Sequence, residues 1–201
     1  QSMDTSEISA RTQIVELAKI YFDKHHKIKP FIAGETYIPP SGKVLDSTDC
    51  EQVIHASLDM WLTAGRFMDE FEKKLPKVFG TKLARMTVSG SAANLLAFTT
   101  LTSPKLGSNA LCAGDEVITV AAGFPTTVSP ILQNQCVPVF VDIDLTTHNI
   151  DCSLLENALS SKTRAVMIAH SLGNPFNLEK IMTFCKKYNL FLIEDCCDAF
   201  G

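Results

Sequence analysis

At residues 116–127 the chain reads Glu116-Val117-Ile118-Thr119-Val120-Ala121-Ala122-Gly123-Phe124-Pro125-Thr126-Thr127. The first five residues form a short, mostly apolar run rich in β-branched side chains, which predicts a strand at Glu116–Val120. Small residues and a proline then indicate a loop, and a helical pattern over Thr126–Asn134 follows. A strand, a short loop and a helix in this order form the repeating unit of a parallel α/β sheet.

The same alternation continues on both sides of this stretch, from Leu83 onward. The predicted strands are Ala84–Val88, Glu116–Val120, Val137–Val141, Ala165–Ala169 and Leu190–Glu194. The predicted helices between them are Ala92–Thr102, Thr126–Asn134, Ser153–Leu159 and Leu178–Tyr188. Strands joined by crossover helices predict an α/β fold with a mostly parallel sheet and helices on both faces. The pattern stops at Gly201 just after a strand, and we expect such a domain to continue with a C-terminal part that is missing here.

An N-terminal segment precedes this pattern. Apolar residues at helical spacing predict an amphipathic helix from Ser6 to about His25. The prolines in Lys29–Lys43 exclude regular helix, so we expect an extended arm lying on a surface or against a partner subunit. Helical patterns follow at Asp49–Leu62 and Phe67–Phe79. We predict an expression-tag remnant at residues 1–3, an N-terminal helix and Pro-rich arm at 4–45, and the N-terminal portion of a large domain at 46–201.

The composition excludes several classes of partner. With 46% hydrophobic residues, 20% charged residues and a net charge of −4, the chain is typical of a soluble globular protein. Its apolar runs, such as Ala165–Ala169, are too short to span a bilayer, and no stripe of Lys and Arg indicates a nucleic-acid surface. The N-terminus shows no secretory signal pattern, and the seven cysteines are scattered without a CxxC pair. We therefore expect a cytoplasmic protein without a self-contained zinc site, a membrane partner or a nucleic-acid partner.

Three of the predicted loops carry residues suited to ligand binding. Small residues in Ser89–Asn94 let backbone N–H groups approach an anion such as a phosphate, although they also fit a tight turn with a serine N-cap. Phe124 follows a strand at the edge where α/β sheets bind ligands, and it fits either stacking on a planar ring or core packing. Asp195, within Glu194–Asp198, fits a metal ligand, a base, a partner for a protonated ring nitrogen, or a solvated acidic turn.

The order of these loops resembles the fold-type-I pyridoxal phosphate enzymes, in particular the sugar aminotransferase and dehydratase family DegT/DnrJ/EryC1/StrS. The resemblance implies that residues 46–201 belong to the cofactor-binding large domain of that fold. It implies that the first loop grips the cofactor phosphate, that Phe124 stacks on the pyridine ring, and that Asp195 pairs with the ring nitrogen. The cofactor-binding residues that follow from it are Gly90, Ser91, Ala92, Phe124, His170, Asn174, Asp195 and Asp198. For His170 a position in the core stays an equal alternative.

Longer stretches resemble one branch of that family, the 3-dehydrases of CDP-linked 4-keto-6-deoxy sugars. They are Ile38–Val44, Trp61–Phe67, Gly114–Thr127 and Ala169–Phe176. The resemblance implies C3 dehydration in the synthesis of 3,6-dideoxy sugars for lipopolysaccharide. It also implies pyridoxamine or pyridoxal 5′-phosphate as cofactor, and a [2Fe–2S] cluster supplied with electrons by a partner reductase. Cys197 matches the first ligand of that cluster, whereas Cys196 is interpreted as a bystander.

The same branch implies a histidine as catalytic base and further cluster cysteines, all beyond Gly201, and a homodimer. Two alternatives stay open. A lysine at the position of that base would indicate a nucleotide-sugar aminotransferase, and a chain without the base would be an inactive fragment. Arg66 and Lys43 are interpreted as solvated cations or as contacts for an anionic substrate or a neighbouring subunit. The histidines other than His170, among them His148, are interpreted as surface or packing residues.

Overall fold

The computed structural model describes residues 4–27, 29–39 and 42–200. The chain divides into two compact units, Gln1–Arg85 and Met86–Gly201. The predicted tag remnant at residues 1–3 lies outside the described residues, as do Pro40 and Ser41 of the predicted arm. The predicted boundary between residues 45 and 46 stays a prediction.

The described part of the first unit is built from helices. They are α1 (Thr5–His25), α2 (Ser47–Leu58) and α3 (Arg66–Phe79). Asp59 links α1 to α3, since its carboxylate accepts hydrogen bonds from Arg11 (2.9 Å) and from Arg66 (2.7 Å). The guanidinium groups of Arg66 and Arg11 hold the pKa of Asp59 below its usual range. Arg66 is therefore ion-paired within its own unit.

Helix α2 is shorter than the sequence pattern predicts. Asp46 caps its first turn by accepting a hydrogen bond from the N–H of Asp49, whose carboxylate in turn accepts one from the N–H of Asp46. The helix ends at Leu58, and Met60 adopts a left-handed conformation (φ +49) that no α-helix continues through. The prediction of a helix as far as Leu62 was wrong at this end.

The second unit contains a four-stranded, fully parallel sheet in the order β2-β1-β3-β4. The strands are β1 (Glu116–Val120), β2 (Val137–Val141), β3 (Thr163–Ala169) and β4 (Phe191–Asp195). The α-helices are α4 (Gly90–Thr100), α5 (Pro125–Gln133) and α6 (Leu178–Tyr188), and 3₁₀-helices lie at Pro104–Asn109, Cys152–Ala158 and Ser171–Gly173. In register, Ile118 of β1 lies beside Val139 of β2 and Val166 of β3.

Helices cover both faces of this sheet. Successive strand residues point to opposite faces, so Val117 and Ile118 enter different clusters of buried side chains. Val117 packs in the cluster that contains Phe98 of α4 and Ile131 of α5. Ile118 packs in the cluster that contains Ile181 of α6. The predicted parallel α/β sheet with helices on both faces is confirmed. Among the described residues, no helix combines the length and the apolar character needed to cross a bilayer.

Two of the elements predicted from Ala84 onward were wrong. Ala84–Val88 is not a strand: no described strand pairs with it, and the Val88 side chain is 98% exposed. A strand requires a neighbour for its backbone N–H and C=O groups, and an apolar run alone does not supply one. The predicted helix at Ser153–Leu159 is a 3₁₀-helix at Cys152–Ala158, because so short a segment gains little from α-helical hydrogen bonds.

The strand order creates a crevice at the carboxyl ends of β1 and β3. The chain leaves β1 through α5 towards β2 on one side, and it leaves β3 through α6 towards β4 on the other side. Adjacent strands whose connections depart in opposite directions leave an opening between the two loops. Open α/β sheets bind their ligands at this position.

Replacing Phe98, which is fully buried beneath the sheet, is expected to destabilise the second unit strongly. Phe98→Ala removes a buried ring and leaves a cavity, which lowers the free energy of unfolding by about 3–5 kcal/mol. Phe140→Ala on β2 is the matched control, since the Phe140 ring is 53% exposed and its loss costs about 1 kcal/mol or less. Urea unfolding measures both values, and equal losses would contradict the assignment of the core.

Candidate functional site

A cavity of about 540 Å³ lies in the second unit at the carboxyl edge of the sheet. Its lining comes from the start of α4, the β1–α5 loop, the loop after β3, the turn after β4, and the turn that follows β2. All but one of these segments contain residues that the sequence singled out. The cavity therefore coincides with the crevice that the strand order creates.

Asp195 is a buried carboxylate at the end of β4, and it lines this cavity. Its Oδ2 accepts hydrogen bonds from Asn94 Nδ2 (2.8 Å) and Thr127 Oγ1 (2.7 Å). Its Oδ1 accepts one hydrogen bond from the N–H of Cys197 (3.1 Å). These three bonds offset the cost of burying the charge and fix the carboxylate in one orientation. Because each carboxylate oxygen has two lone pairs, the group retains capacity for a further donor from the cavity.

The N-terminus of α4 supplies backbone N–H groups to the same cavity. Ser89 caps the helix, since its Oγ accepts a hydrogen bond from the N–H of Ala92 (3.1 Å). Gly90 and Ser91 form the first helical positions and line the cavity. The N–H groups of a first turn have no carbonyl partner within their own helix, and the helix dipole favours an anion there. The serine cap occupies the Ala92 N–H, so an anion bound there would use the other N–H groups of the first turn.

Phe124 lies between β1 and α5 and is 70% exposed, with its surface contributing to the cavity. A side chain so exposed does not pack in the core, so the core-packing interpretation was wrong. Pro125 begins α5 directly after it and fixes the backbone of that first turn. The ring is thereby held beside the cavity on a rigid element and presents an apolar surface to any planar ligand.

His170 and Asn174 support the cavity without lining it. The His170 ring is buried, stacks on Phe176 (centroids 4.0 Å apart), and places Nε2 3.0 Å from a Glu194 carboxylate oxygen. This geometry favours the core alternative for His170. The Asn174 amide donates to the carbonyl of Thr147 (2.9 Å) and so holds a neighbouring turn. Ser171 and Leu172, between the two predicted residues, are the ones that line the cavity.

The turn after β4 carries Cys197 and Asp198 into the lining. Asp198 Oδ2 accepts a hydrogen bond from the N–H of Leu172 (3.3 Å), which joins this turn to the loop after β3. Gly173 makes that approach feasible: it has φ +76, and a Cβ at this position would lie 2.9 Å from the carbonyl oxygen of Asp198. The Cys196 Sγ is directed instead at the carbonyl of Glu194 (3.9 Å).

Cys197, the predicted iron–sulfur ligand, does not belong to a cluster of metal-binding side chains among the described residues. No group of three or more His, Cys, Asp or Glu side chains among those residues is placed to hold a metal ion. A [2Fe–2S] cluster needs four ligands, so the described residues do not by themselves form its site. Cys197 and Cys196 are both free thiols. Desolvation by burial, with the nearby carboxylates of Glu194 and Asp195, raises the pKa of the Cys196 thiol.

Three residues contribute to the site in ways that the sequence did not predict: Asn94 was predicted only as part of the Ser89–Asn94 loop, Thr127 had no predicted role, and His148 was expected outside the site. Asn94 and Thr127 hold the Asp195 carboxylate, although they lie 101 and 68 positions away in the chain. A buried asparagine on an otherwise apolar helix is a signal that could have indicated Asn94. His148, interpreted as a surface or packing residue, lines the cavity from the turn after β2.

Comparison with known proteins adds independent findings. The model of the DegT/DnrJ/EryC1/StrS aminotransferase family matches residues 44–201. The chain is 57% identical, over 95% of its length, to the lipopolysaccharide biosynthesis protein RfbH of Salmonella typhimurium, and it covers 44% of that protein. It is 47% identical, over 90% of its length, to the dTDP-4-dehydro-2,6-dideoxy-D-glucose 3-dehydratase of Saccharopolyspora spinosa, covering 39% of it. The chain thus spans less than half the length of these curated relatives.

A solved structure shares the fold. The E. coli GDP-4-keto-6-deoxy-D-mannose-3-dehydratase with bound hydrated PLP superposes with a TM-score of 0.73 at 35% identity, over 81% of this chain and 41% of that one. This likeness confirms the predicted large-domain fold of the pyridoxal phosphate enzymes. The match of the family model to most of the chain is independent of that superposition.

Proposed function

The chain belongs to the DegT/DnrJ/EryC1/StrS aminotransferase family, and from this premise we propose that it forms the cofactor-binding part of a nucleotide-sugar 3-dehydratase. The proposed reaction removes the C3 hydroxyl of a CDP-linked 4-keto-6-deoxyhexose in the synthesis of lipopolysaccharide sugars. The single observation that supports it most is the buried Asp195 carboxylate, held by three donors at the edge of an open cavity.

The residues that line the cavity fit pyridoxamine or pyridoxal 5′-phosphate. Gly90 and Ser91 offer N–H groups at the start of α4 to a phosphate, Phe124 offers a ring face to a pyridine, and Asp195 offers a lone pair to a protonated ring nitrogen. When bound, this cofactor supplies an electron sink for carbanions formed next to it. The family members with a solved fold include one with bound hydrated PLP, which supports the same cofactor here.

The chain's own residues then perform three tasks. Asp195 holds a proton on the ring nitrogen, because an oriented carboxylate in a site shielded from water stabilises the cationic form. Asn94 and Thr127 keep that carboxylate from rotating. Phe124 and Leu172 contribute apolar surface that excludes water from the bound ring.

The finer parts of the proposal stay predictions. They are the CDP nucleotide, the [2Fe–2S] cluster with Cys197 as one ligand, the electron-donating reductase, the homodimer and the cytoplasmic location. Among the described residues, Cys197 is the one proposed ligand of the cluster, and no group of three or more metal-binding side chains surrounds it. The similarity to 3-dehydratases acting on dTDP- and GDP-linked sugars supports the sugar chemistry and leaves the nucleotide to experiment.

An aminotransferase is the second candidate, because the matching family model carries that description. Product analysis separates the two. The full-length protein is incubated with CDP-4-keto-6-deoxyglucose, once with pyridoxamine phosphate and an electron donor, and once with pyridoxal phosphate and glutamate. We expect a product that lacks the C3 oxygen, identified by mass spectrometry. A product that keeps this oxygen and gains an amino group would replace the dehydratase proposal with the aminotransferase.

A further inference from the structure

The turn after β2 brings His148 to the lining of the cavity. His148 is exposed and has φ +58, a left-handed conformation that residues with a Cβ rarely adopt. Histidine is found in this conformation more often than most residues with a Cβ, so the positive φ fixes the direction of the backbone here and is not by itself a sign of a functional site. The family resemblance assigned no role to this residue.

The hydrogen bonds of its neighbours fix the turn that carries His148. The Asp144 carboxylate accepts hydrogen bonds from the N–H groups of Thr146 (2.8 Å) and Thr147 (3.0 Å). The N–H of His148 donates to the carbonyl of Asp144 (2.8 Å), and an antiparallel bridge between Ile143 and Ile150 closes the base of the turn. The backbone at position 148 is therefore determined without any contribution from the imidazole.

Two asparagines fasten this turn to the loop after β3. Asn149 is buried, and its Nδ2 donates to the carbonyl of Asn174 (2.9 Å). In return, Asn174 Nδ2 donates to the carbonyl of Thr147 (2.9 Å). The N–H of Ser171 donates to Asn149 Oδ1 (3.4 Å). Ser171 lines the cavity. The hydrogen bonds of Asn149 and Asn174 therefore hold the turn with His148 next to a segment that also lines the cavity.

The charges around the cavity indicate what the imidazole does there. Its lining carries two carboxylates, Asp195 and Asp198, and in the described part of the chain it carries no lysine or arginine. His148 is the one side chain among these lining residues that can present a positive charge. A phosphate ligand in such a cavity needs donors to offset the repulsion of the carboxylates. The N-terminus of α4 and the hydroxyls of Ser91, Thr126 and Ser171 are neutral donors in the lining, and His148 adds a donor that can also carry charge.

We propose that His148 donates a hydrogen bond to a phosphate oxygen of the ligand in this cavity. The phosphate belongs either to the cofactor or to the diphosphate of the sugar nucleotide, and this identification rests on the proposed function. A histidine ring nitrogen is a suitable donor, and a bond of this kind to an anionic oxygen is among the stronger hydrogen bonds in proteins.

Two substitutions at this position test the contact. His148→Gly removes the imidazole and suits a positive φ, so its melting temperature is expected to equal or exceed that of the wild type. His148→Asn keeps a polar side chain that tolerates the left-handed conformation but has a shorter reach. For both variants we expect the Kd for pyridoxal phosphate or for CDP, measured by calorimetry, to rise about tenfold or more. Leu145→Ala, in the same exposed turn but outside the lining, is expected to leave both constants unchanged.

The outcomes separate this inference from the proposed function. A loss confined to pyridoxal phosphate assigns the contact to the cofactor phosphate, and a loss confined to CDP assigns it to the substrate diphosphate. Unchanged Kd values for both ligands in His148→Asn, or in a stable His148→Gly, overturn the contact. A wild type that binds no pyridoxal phosphate overturns the proposed function instead, and the CDP measurement then decides the role of His148.

Discussion

Asp195→Asn is expected to lower the turnover of the cofactor-loaded protein by about 10²-fold or more. The substitution keeps the shape of the side chain and removes the negative charge that holds a ring nitrogen protonated. Asp195 is buried and fixed by Asn94 and Thr127, so the substitution removes a charge that the structure holds in one place. Steady-state kinetics with the nucleotide sugar measure the loss, and the visible spectrum of the bound cofactor reports the changed protonation.

The structure also predicts the cost of this variant to stability. Both oxygens of Asp195 accept hydrogen bonds, whereas an asparagine must direct its NH₂ group at one of the donors. One of these bonds is then lost, which lowers the free energy of unfolding by about 1–3 kcal/mol. Thermal unfolding therefore has to show a folded protein before the rates are compared.

Glu194→Gln is the matched control for the loss of a carboxylate. Glu194 precedes Asp195 on β4, points to the opposite face of the strand, and is part-exposed beside His170. We expect its turnover to stay close to that of the wild type. Full activity of Asp195→Asn, or an equal loss in both variants, would contradict the role given to Asp195.

The strands were predictable because their apolar runs are local and continuous. The predicted bounds of β1 and β2 equal those of the structure, as do those of α6. Strands of a parallel sheet are buried on both faces, so each one is a continuous apolar run that can be recognised from its own residues alone. The exception is Ala84–Val88, where strand formation depends on a partner that the segment itself does not encode.

The site was predictable only in part, because its framework depends on long-range contacts. The residues at strand ends, such as Phe124 and Asp195, follow from the rule that ligands bind at the carboxyl edge of the sheet. The hydrogen bonds of Asn94 and Thr127 to Asp195 join three different elements, and no local pattern reveals them. His148 was not predicted to line the cavity for a related reason. Its position there depends on its positive φ and on the hydrogen bond from Asn174, in the loop after β3, to the carbonyl of Thr147.

The pair Cys196 and Cys197 distinguishes the two proposed chemistries. The two residues lie in the turn after β4, not on an extended segment, and of the two only Cys197 is among the described residues that line the cavity. The Cys197 Sγ lies at the cavity, where a Cβ added to Gly90 would be 3.7 Å from it. The Cys196 Sγ contacts the carbonyl of Glu194 (3.9 Å). Cluster ligation requires a thiolate, and desolvation by burial raises the pKa of the Cys196 thiol, which makes its thiolate form less accessible.

Cys197→Ser in the full-length protein, purified without oxygen, is therefore expected to abolish the visible absorption of an iron–sulfur cluster together with the dehydratase activity. Serine retains the size and polarity of the side chain but does not supply the thiolate on which such clusters depend. Binding of pyridoxal phosphate should change little, because Cys197 contributes to the Asp195 network through its backbone N–H alone. Cys196→Ser is the adjacent control and should keep the iron, the colour and the activity. If the full-length Cys197→Ser variant retains iron and activity, Cys197 is not a ligand. If the full-length wild type holds no iron, the aminotransferase becomes the better assignment.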